Sequence, residues 1–382
     1  MGDPMLRKTA SFLLLLFVFS FGCSALDSPG VSAQSAVVMA ADSRELIYGK
    51  NEHEQRGMAS TTKIMTALLT LECASPQKQV TVTEQMVAVE GTSMGLLPGD
   101  KVTYRDLVYG MLLASGNDAA NTAAISISGS IAEFAKLMNN RAVQIGMHNT
   151  SFVTPSGLDD ENHYSTAFDM ALLSCEAIKN SDFLLACSSV QAELCYGNEP
   201  YTRYLSNHNK LLKTFDGAVG IKTGFTKKSG RCLVSAAERN GVTLVCVTLN
   251  APNDWQDHKA LLEYGFEQVS LKALNCSLPQ VTVYGGEAEK ADVELCEPLS
   301  VATQCSPDRI SAQIIVKPYF IAPLKKGDIA GEVRISVDGK TVKSVPVKIK
   351  DDVKSITQEV FEKPSFLKRI AEKISGFFCR ER

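Results

Sequence analysis

Ser60 and Lys63 are the residues of this 382-residue chain whose types and spacing most directly indicate covalent chemistry. A spacing of i, i+3 places both side chains on one face of a helical turn, where the lysine amine can take the proton of the serine hydroxyl. This pairing makes a serine nucleophilic without a histidine. The lysine must be uncharged to accept the proton, so it needs a buried site or neighbouring cations that lower its pKa.

The stretch that carries this pair predicts such a site. From Ala59 to Leu71 a polar start runs into apolar residues at helical spacing, which predicts that Ser60 lies in the first turn of a largely buried helix. A helix start also directs free backbone N–H groups towards negative charge that develops on an attacked carbonyl. The spacing alone is not specific, because it recurs at 75–78 and at 365–368.

A second group of polar residues lies in a turn between two apolar helices. The sequence predicts one helix from Tyr104 to Ala114 and another that runs to Ile127, with Ser115-Gly116-Asn117 between them. Glycine permits the turn, and the turn can project Ser115 and Asn117 into a cleft.

A third motif, Lys222-Thr223-Gly224, lies on a predicted strand. Two more apolar strands follow it, at 232–237 and 242–249, and together they predict an antiparallel meander. At the edge of a cleft, the ammonium of Lys222 and the hydroxyl of Thr223 can bind a substrate carboxylate. Gly224 would let the substrate backbone approach closely.

Composition limits the size, partners and cofactors of the protein. With 382 residues and 45% hydrophobic content, the chain can bury one large and one small core, so two domains are expected. A net charge of −3 and the lack of a basic stripe with interleaved aromatics give no reason to expect a nucleic-acid partner. No Cys/His cluster has zinc spacing, so we expect no metal and no cofactor. The 11 cysteines are an odd number, and those in apolar stretches are expected to be buried free thiols: Cys73, Cys175, Cys232 and Cys246.

The first 25 residues have the pattern of a signal peptide. A basic pair precedes the apolar run 11–21, which is too short to span a bilayer comfortably, and small residues allow cleavage after Ala25 or as late as Ala33. Cys23 would also allow processing as a lipoprotein, as an alternative to ordinary signal cleavage. Export of the mature chain is expected.

The C-terminal third has a different pattern. Short alternating strands fill 279–352, with the hairpin signal Asp338-Gly339 between two of them, and predict a small all-β domain. The tail, 364–382, places apolar residues on one helical face and basic residues mostly elsewhere, which is typical of an amphipathic helix at a membrane surface. A helix docked on its own protein is the alternative interpretation of this tail.

Taken together, Ser60-x-x-Lys63, Ser115-Gly116-Asn117 and Lys222-Thr223-Gly224 resemble the motif set of the penicillin-recognising serine enzymes. Within that superfamily the chain resembles the low-molecular-weight penicillin-binding proteins, which are exported serine-type D-alanyl-D-alanine carboxypeptidases of the peptidase S11 kind. The resemblance covers nearly the whole mature chain, and further matching stretches lie at 59–66, 113–120, 155–158, 207–209 and 220–226.

The resemblance implies catalytic roles for three residues. Ser60 would attack the penultimate D-alanine carbonyl, and Lys63 would accept its proton. Ser115 would relay a proton to the departing D-alanine, after which water hydrolyses the acyl-enzyme.

The resemblance also implies how the substrate is bound. Asn117 would orient the peptide, and Lys222 and Thr223 would hold its terminal carboxylate beside Gly224. Backbone N–H groups of Ser60 and Phe225 would form the oxyanion hole. The expected ligands are peptidoglycan stem peptides and β-lactam antibiotics.

The expected architecture is α+β, with a β-lactamase/transpeptidase-like catalytic domain at 35–270 in which helices flank an antiparallel sheet. A β-rich domain at 279–352 and a membrane-anchor helix at 364–382 would follow. The expected function is removal of the terminal D-alanine from stem pentapeptides at the outer face of the cytoplasmic membrane, through a Ser60 acyl-enzyme that β-lactams also form.

Two other functions remain open. A β-lactamase shares the three motifs but needs a carboxylate-activated water for fast deacylation. A non-hydrolytic β-lactam-sensing or wall-binding protein would be acylated without turnover. Among the histidines, His163 is interpreted as structural because it has no identifiable carboxylate partner, and His208 is left without a role.

Overall fold

The computed structural model describes residues 28–356, and its larger part combines strands and helices. The strands of this part are β1 (Ser35–Ala40), β2 (Leu46–Lys50), β3 (Gln79–Thr81), β4 (Lys101–Thr103), β5 (Gln191–Tyr196), β6 (Tyr201–Ser206), β7 (Ala218–Thr226), β8 (Gly230–Arg239) and β9 (Val242–Leu249). Its helices are α1 (Lys63–Cys73), α2 (Glu84–Val87), α3 (Tyr104–Leu112), α4 (Asn117–Ser128), α5 (Ile131–Ile145), α6 (Ala167–Ala177), α7 (Ser181–Ser188), α8 (Leu211–Thr214) and α9 (Asp254–Gln268).

A five-stranded antiparallel sheet, in the order β2-β1-β9-β8-β7, lies at the centre of this part. The predicted meander is confirmed, because β7 pairs with β8 and β8 with β9. Side chains alternate between two buried faces: Val37 and Val247 contact the core that contains α1, whereas Val38 and Cys246 contact the core that contains α9. Burial on both faces explains why these strands are continuous apolar runs.

Helix α1 is the central helix on the first face. Its residues from Lys63 to Thr70 are all buried, and it packs against α3, α4 and α6. A helix that is surrounded by other elements needs an apolar surface on every side, so the predicted burial of this segment is confirmed. A charged residue at its start is therefore placed deep in the molecule.

The remaining described chain is an all-β unit. Its strands are β10 (Ser270–Ala273), β11 (Val281–Tyr284), β12 (Lys290–Ala291), β13 (Val293–Leu295), β14 (Ser300–Thr303), β15 (Ile310–Val316), β16 (Tyr319–Ile321), β17 (Ile329–Val337) and β18 (Lys340–Ile349). They form sheets in the orders β13-β18-β17-β15, β12-β11-β16 and β10-β14. The predicted hairpin between β17 and β18 is confirmed, with Asp338 and Gly339 at φ values of 51° and 75°.

The turn between β1 and β2 joins the two parts of the fold. The Ser43 hydroxyl donates to the Ala302 carbonyl at 2.8 Å, and the Thr303 hydroxyl donates to Glu45 at 2.5 Å. These contacts attach the β-rich unit to the turn that joins the two strands at the opposite side of the sheet from β7.

The cysteines within the described range are free thiols. Cys175, Cys232 and Cys246 are buried as predicted, but the prediction for Cys73 is wrong, because this last residue of α1 is exposed where the helix emerges from the core. Between residues 28 and 356, no helix is long and apolar enough to cross a membrane. The predicted signal peptide and the predicted tail helix at 364–382 lie outside the described residues.

Candidate active site

Ser60 lies in a 3₁₀ turn, Ala59–Thr62, immediately before α1. The sequence predicted Ser60 in the first turn of the helix, whereas the α-helix itself begins three residues later, at Lys63. A 3₁₀ turn has three residues per turn, so it aligns Ser60 with Lys63 more closely than an α-helix would. Lys63 Nζ and Ser60 Oγ are 3.0 Å apart. Ala59 has a φ of 48°, a left-handed conformation that is costly for alanine and that persists where the surrounding structure enforces it.

Lys63 is fully buried and has two acceptors besides Ser60. Its Nζ donates to Asn117 Oδ1 and to the Ser156 carbonyl, each at 2.6 Å. Burial holds the pKa of Lys63 well below its usual range; the Lys222 cation lowers it further, and Asp118 opposes the shift. A neutral amine has two N–H donors and one lone pair. In that uncharged form, Asn117 and Ser156 would take the two donors and the lone pair would be left for the Ser60 hydroxyl.

The predicted turn between two helices is confirmed at Ser115-Gly116-Asn117, which joins α3 to α4. Ser115 has a φ of 59°, so a second non-glycine residue of the site is in the left-handed region. Its carbonyl accepts from the Thr92 hydroxyl at 2.5 Å. Asn117 donates from Nδ2 to the Glu90 carbonyl at 2.6 Å, so its amide links Lys63 to the opposite wall of the cleft.

Strand β7 brings the third motif against the nucleophile turn. Lys222 is almost fully buried, its Nζ donates to the Thr223 carbonyl at 2.8 Å, and burial lowers its pKa to about 7. A Cβ at Gly224 would lie 3.1 Å from both Ser60 N and Met58 O, closer than ordinary contact. Glycine is required here because the strand runs directly along the backbone of the turn.

These motif residues surround an open cleft of about 410 Å³. Its floor contains Ser60, and Phe225 extends from β7 at the rim with 64% of its surface exposed. The sequence did not predict several residues that line the cleft: Gly91, Thr92, Ser156, Gly157, Arg231, Asp254 and Trp255. Of these, Ser156 and Gly157 lie in the stretch 155–158 that carries part of the family resemblance.

Arg231, on β8, is the one arginine among the described residues that line the cleft. Its Nη2 donates to both carboxylate oxygens of Asp254, at 2.9 and 2.8 Å, and its guanidinium is 5.9 Å from the Trp255 ring centre. Nε and Nη1 have no hydrogen-bond partner among residues 28–356, and the side chain is 42% exposed. The guanidinium therefore has one edge anchored on Asp254 and donors free to bind a ligand.

His163 supports the nucleophile turn from behind. Its Nδ1 accepts from Val153 N at 3.0 Å, so Nε2 carries the hydrogen and donates to the Thr62 hydroxyl at 2.8 Å. That hydroxyl donates to the Ala59 carbonyl at 2.8 Å, and burial lowers the pKa of His163 to about 4. This geometry agrees with a structural role. His208 lines the cleft, and burial and Lys222 lower its pKa.

Asp254 is the sole carboxylate among the described residues that line the cleft, and it is paired with Arg231. Across residues 28–356, no cluster of three or more His, Cys, Asp or Glu side chains is arranged to hold a metal ion. The groups that face Ser60 are an amine, hydroxyls, an amide and backbone N–H donors, which suit acyl transfer through a serine ester.

Comparison with known proteins gives consistent matches over both parts of the fold. A family model described as D-alanyl-D-alanine carboxypeptidase matches residues 23–253, and a model of the penicillin-binding protein 5 C-terminal domain matches 266–355. D-alanyl-D-alanine carboxypeptidase DacF of Bacillus subtilis is 31% identical over 92% of this chain and 95% of its own length. The crystal structure of the carboxypeptidase DacD of Francisella tularensis is 26% identical with a TM-score of 0.61, over 86% and 95% of the two chains. The DD-transpeptidase of Streptomyces K15 is 31% identical with the same TM-score, over 63% of this chain and 99% of that one.

Proposed function

The chain belongs to the peptidase S11 family of D-alanyl-D-alanine carboxypeptidases and is a serine hydrolase of that type, and we propose that Ser60, Lys63 and Ser115 perform its chemistry. The observation that carries this assignment is the buried Lys63 amine, whose Nζ lies 3.0 Å from Ser60 Oγ and whose pKa is held well below its usual range by burial. A base with this geometry needs no histidine or metal to activate the serine.

The acylation step follows from this arrangement. Ser60 Oγ bonds to the penultimate D-alanine carbonyl carbon, and the hydroxyl proton moves to Lys63 Nζ. The tetrahedral intermediate then loses its C–N bond, and the leaving D-alanine nitrogen takes a proton from the Ser115 hydroxyl. Lys63 returns its proton to Ser115, which restores the starting protonation of both groups. Asn117 orients the peptide and keeps Lys63 in place through the bond to its Oδ1.

The oxyanion hole is assigned to the backbone N–H groups of Ser60 and Phe225. The close passage of β7 at Gly224, where an added Cβ would lie 3.1 Å from Ser60 N, supports this assignment because it brings both donors to the same side of the cleft. Preorganised donors of this kind typically stabilise a transition state by about 3 kcal/mol each.

We assign recognition of the terminal carboxylate to Thr223 and Lys222, with Arg231 as a third partner. Lys222 is buried and has a pKa of about 7, so only part of the population carries its charge at neutral pH. Arginine stays protonated throughout this range. The free donors and the exposure of Arg231 support a direct contact with a carboxylate in the cleft.

β-Lactams would acylate the same serine. Hydrolysis of the resulting ester is expected to be slow, because the one carboxylate among the described cleft residues is Asp254, which is held by Arg231. A β-lactamase needs a carboxylate free to activate water. This favours the carboxypeptidase over the β-lactamase interpretation.

A peptidoglycan substrate requires an extracytoplasmic location. We propose that residues 1–25 are a signal peptide, that the catalytic domain spans 35–270, and that the β-rich domain at 279–352 is a spacer. We also propose that the tail at 364–382 lies on the outer face of the cytoplasmic membrane, on the basis of its sequence pattern.

The test is intact-mass spectrometry of the purified protein with a β-lactam, together with D-alanine release from a peptide that ends in D-Ala-D-Ala. An adduct and D-alanine release are expected, and both should be absent in Ser60→Ala. A Ser60-dependent adduct without D-alanine release would instead support a sensor or wall-binding protein. The absence of an adduct would refute the assignment of Ser60.

A further inference from the structure

Asp118 is a buried carboxylate directly after the Asn117 of the active site, and 2% of its surface is exposed. Its Oδ2 accepts from the Ser93 hydroxyl at 2.6 Å, from Leu96 N at 3.0 Å and from Gly95 N at 3.1 Å. Its Oδ1 accepts from Met94 N at 2.9 Å and from the N–H of the next residue in α4 at 2.9 Å. Every one of these partners is a donor, which suits the acceptor-only carboxylate.

The segment 93–96 that Asp118 binds continues one wall of the cleft. Gly91 and Thr92, immediately before it, line the cleft, and the Thr92 hydroxyl donates to the Ser115 carbonyl. Tyr196 and Arg203 bind the other side of the segment, through the carbonyls of its second and third residues, at 2.8 and 2.6 Å. The consecutive N–H groups at 94–96 all turn inward to Asp118.

Asp118 also acts electrostatically on the buried amine of Lys63. Lys63 on α1 has one charged neighbour of like sign, Lys222 on β7, and one of opposite sign, Asp118 on α4; its other close partners are the neutral Ser60, Asn117 and Ser156. The negative charge of Asp118 opposes the fall in the pKa of Lys63 that burial and Lys222 cause. A general base with too low a pKa is a weak base, so this opposition has a use in catalysis.

We propose that Asp118 is a positioning residue for the reaction, which fixes the cleft wall at 91–96 against Ser115 and Asn117 and supplies the negative charge that faces Lys63. This inference rests on the proposed function, since it assigns Asp118 a role in a Ser60–Lys63 mechanism. Asp118 touches neither the substrate nor the reacting atoms, and it acts through the loop and through the charge of Lys63.

Three variants of the full chain separate the two effects. Asp118→Asn keeps the size and removes the charge, and Asp118→Glu keeps the charge and moves the carboxylate by one methylene. Ser93→Ala removes one of the five donors and leaves the carboxylate in place. The measurement is the rate of acylation by a chromogenic β-lactam between pH 4 and 9, accompanied by the melting temperature of each variant.

We expect Asp118→Asn to acylate at least about 10-fold more slowly at its optimum and to shift the acidic limb of the profile about one pH unit lower, since Lys63 loses the charge that favours its protonation. Asp118→Glu should acylate more slowly than the wild-type protein, and the acidic limb of its pH profile should stay at the wild-type pH. Ser93→Ala should change the rate by less than about 3-fold and leave the limb in place.

An Asp118→Asn profile with an unmoved limb would refute the electrostatic role. A wild-type rate in Asp118→Glu would refute the role of Asp118 in fixing the cleft wall at 91–96. This variant decides the question if Asp118→Asn does not fold. Failure of the wild-type protein to form any Ser60 adduct would instead refute the proposed function, which makes the two failures distinguishable.

Discussion

Replacement of Arg231 should weaken the preference of the enzyme for a substrate with a free terminal carboxylate. In the wild-type protein, Nε and Nη1 are free among the described residues while Nη2 is anchored on Asp254. A hydrogen bond to a charged group contributes about 1.5–3 kcal/mol. Arg231→Gln should therefore lower kcat/KM for a D-Ala-D-Ala peptide by roughly 10- to 150-fold.

The loss of Arg231 would also leave Asp254 buried without its cation, which alone can cost about 1–3 kcal/mol of stability. The matched background is Asp254→Asn, in which the neutral amide needs no ion pair. The comparison is therefore Asp254→Asn against the double variant Asp254→Asn/Arg231→Gln, so that the change in kcat/KM reports on the substrate and not on an orphaned carboxylate.

The assay compares two peptides that differ only at the C-terminus, one with a carboxylate and one with an amide. The variant that retains Arg231 should strongly prefer the carboxylate, and the double variant should hydrolyse the carboxylate peptide at a low kcat/KM with a much smaller preference over the amide. An equal loss on both peptides would mean that Arg231 supports the structure of the cleft rather than binding the carboxylate. No loss on either peptide would refute the contact.

Three further outcomes are expected. Gly224→Ala should lower kcat/KM about 10-fold or more with little change in melting temperature, because its Cβ would push β7 away from Ser60 by a few tenths of an ångström. The control Gly30→Ala should have no effect, since nothing lies within 4 Å of the new Cβ. The pKa of His163 falls from 6.5 to about 4 on folding, so the unfolded chain binds a proton at this residue first. The contribution of His163 to stability should therefore be constant above pH 6.5 and fall as pH decreases from 6.5 to 4, by about 2 kcal/mol at pH 5, and urea unfolding at pH 7 and pH 5 should show less pH dependence in His163→Gln. Deletion of residues from Lys363 onward should move the enzyme from the membrane fraction into solution with its activity intact, and loss of activity in the soluble form would contradict a simple anchor.

The sequence predicted the elements best where burial is uniform. The middle of β8, most of β9 and most of α1 are apolar because both sides are covered, and that pattern is visible without coordinates. The 3₁₀ turn at Ser60 was not predicted, because its geometry depends on contacts from distant segments. The Thr62 hydroxyl accepts from His163, which lies 101 positions away in the chain.

The motifs identify the groups that we propose to react but not the groups that we propose to tune them. Ser60, Lys63, Ser115 and Lys222 have distinctive spacings, whereas Arg231 is one basic residue on a strand whose neighbours are apolar. Its position in the cleft follows from the register of β7 against β8, in which Phe225 lies opposite Arg231. Cross-strand neighbours share a face of the sheet, so this contact could be inferred only after the pairing was known.

The two buried lysines show why the tuning groups matter. Burial lowers the pKa of both Lys63 and Lys222, so burial alone cannot make one a base and the other a binder. Their hydrogen-bond partners make the difference. Lys63 has two acceptors and the Ser60 hydroxyl, which would leave a lone pair for the proton in its uncharged form, whereas Lys222 donates to the Thr223 carbonyl. Because burial lowers the pKa of Lys222 to about 7, carboxylate binding through Lys222 alone would depend on pH, and we propose Arg231 as the permanent cation of the cleft because it has the charge and the free donors for that role.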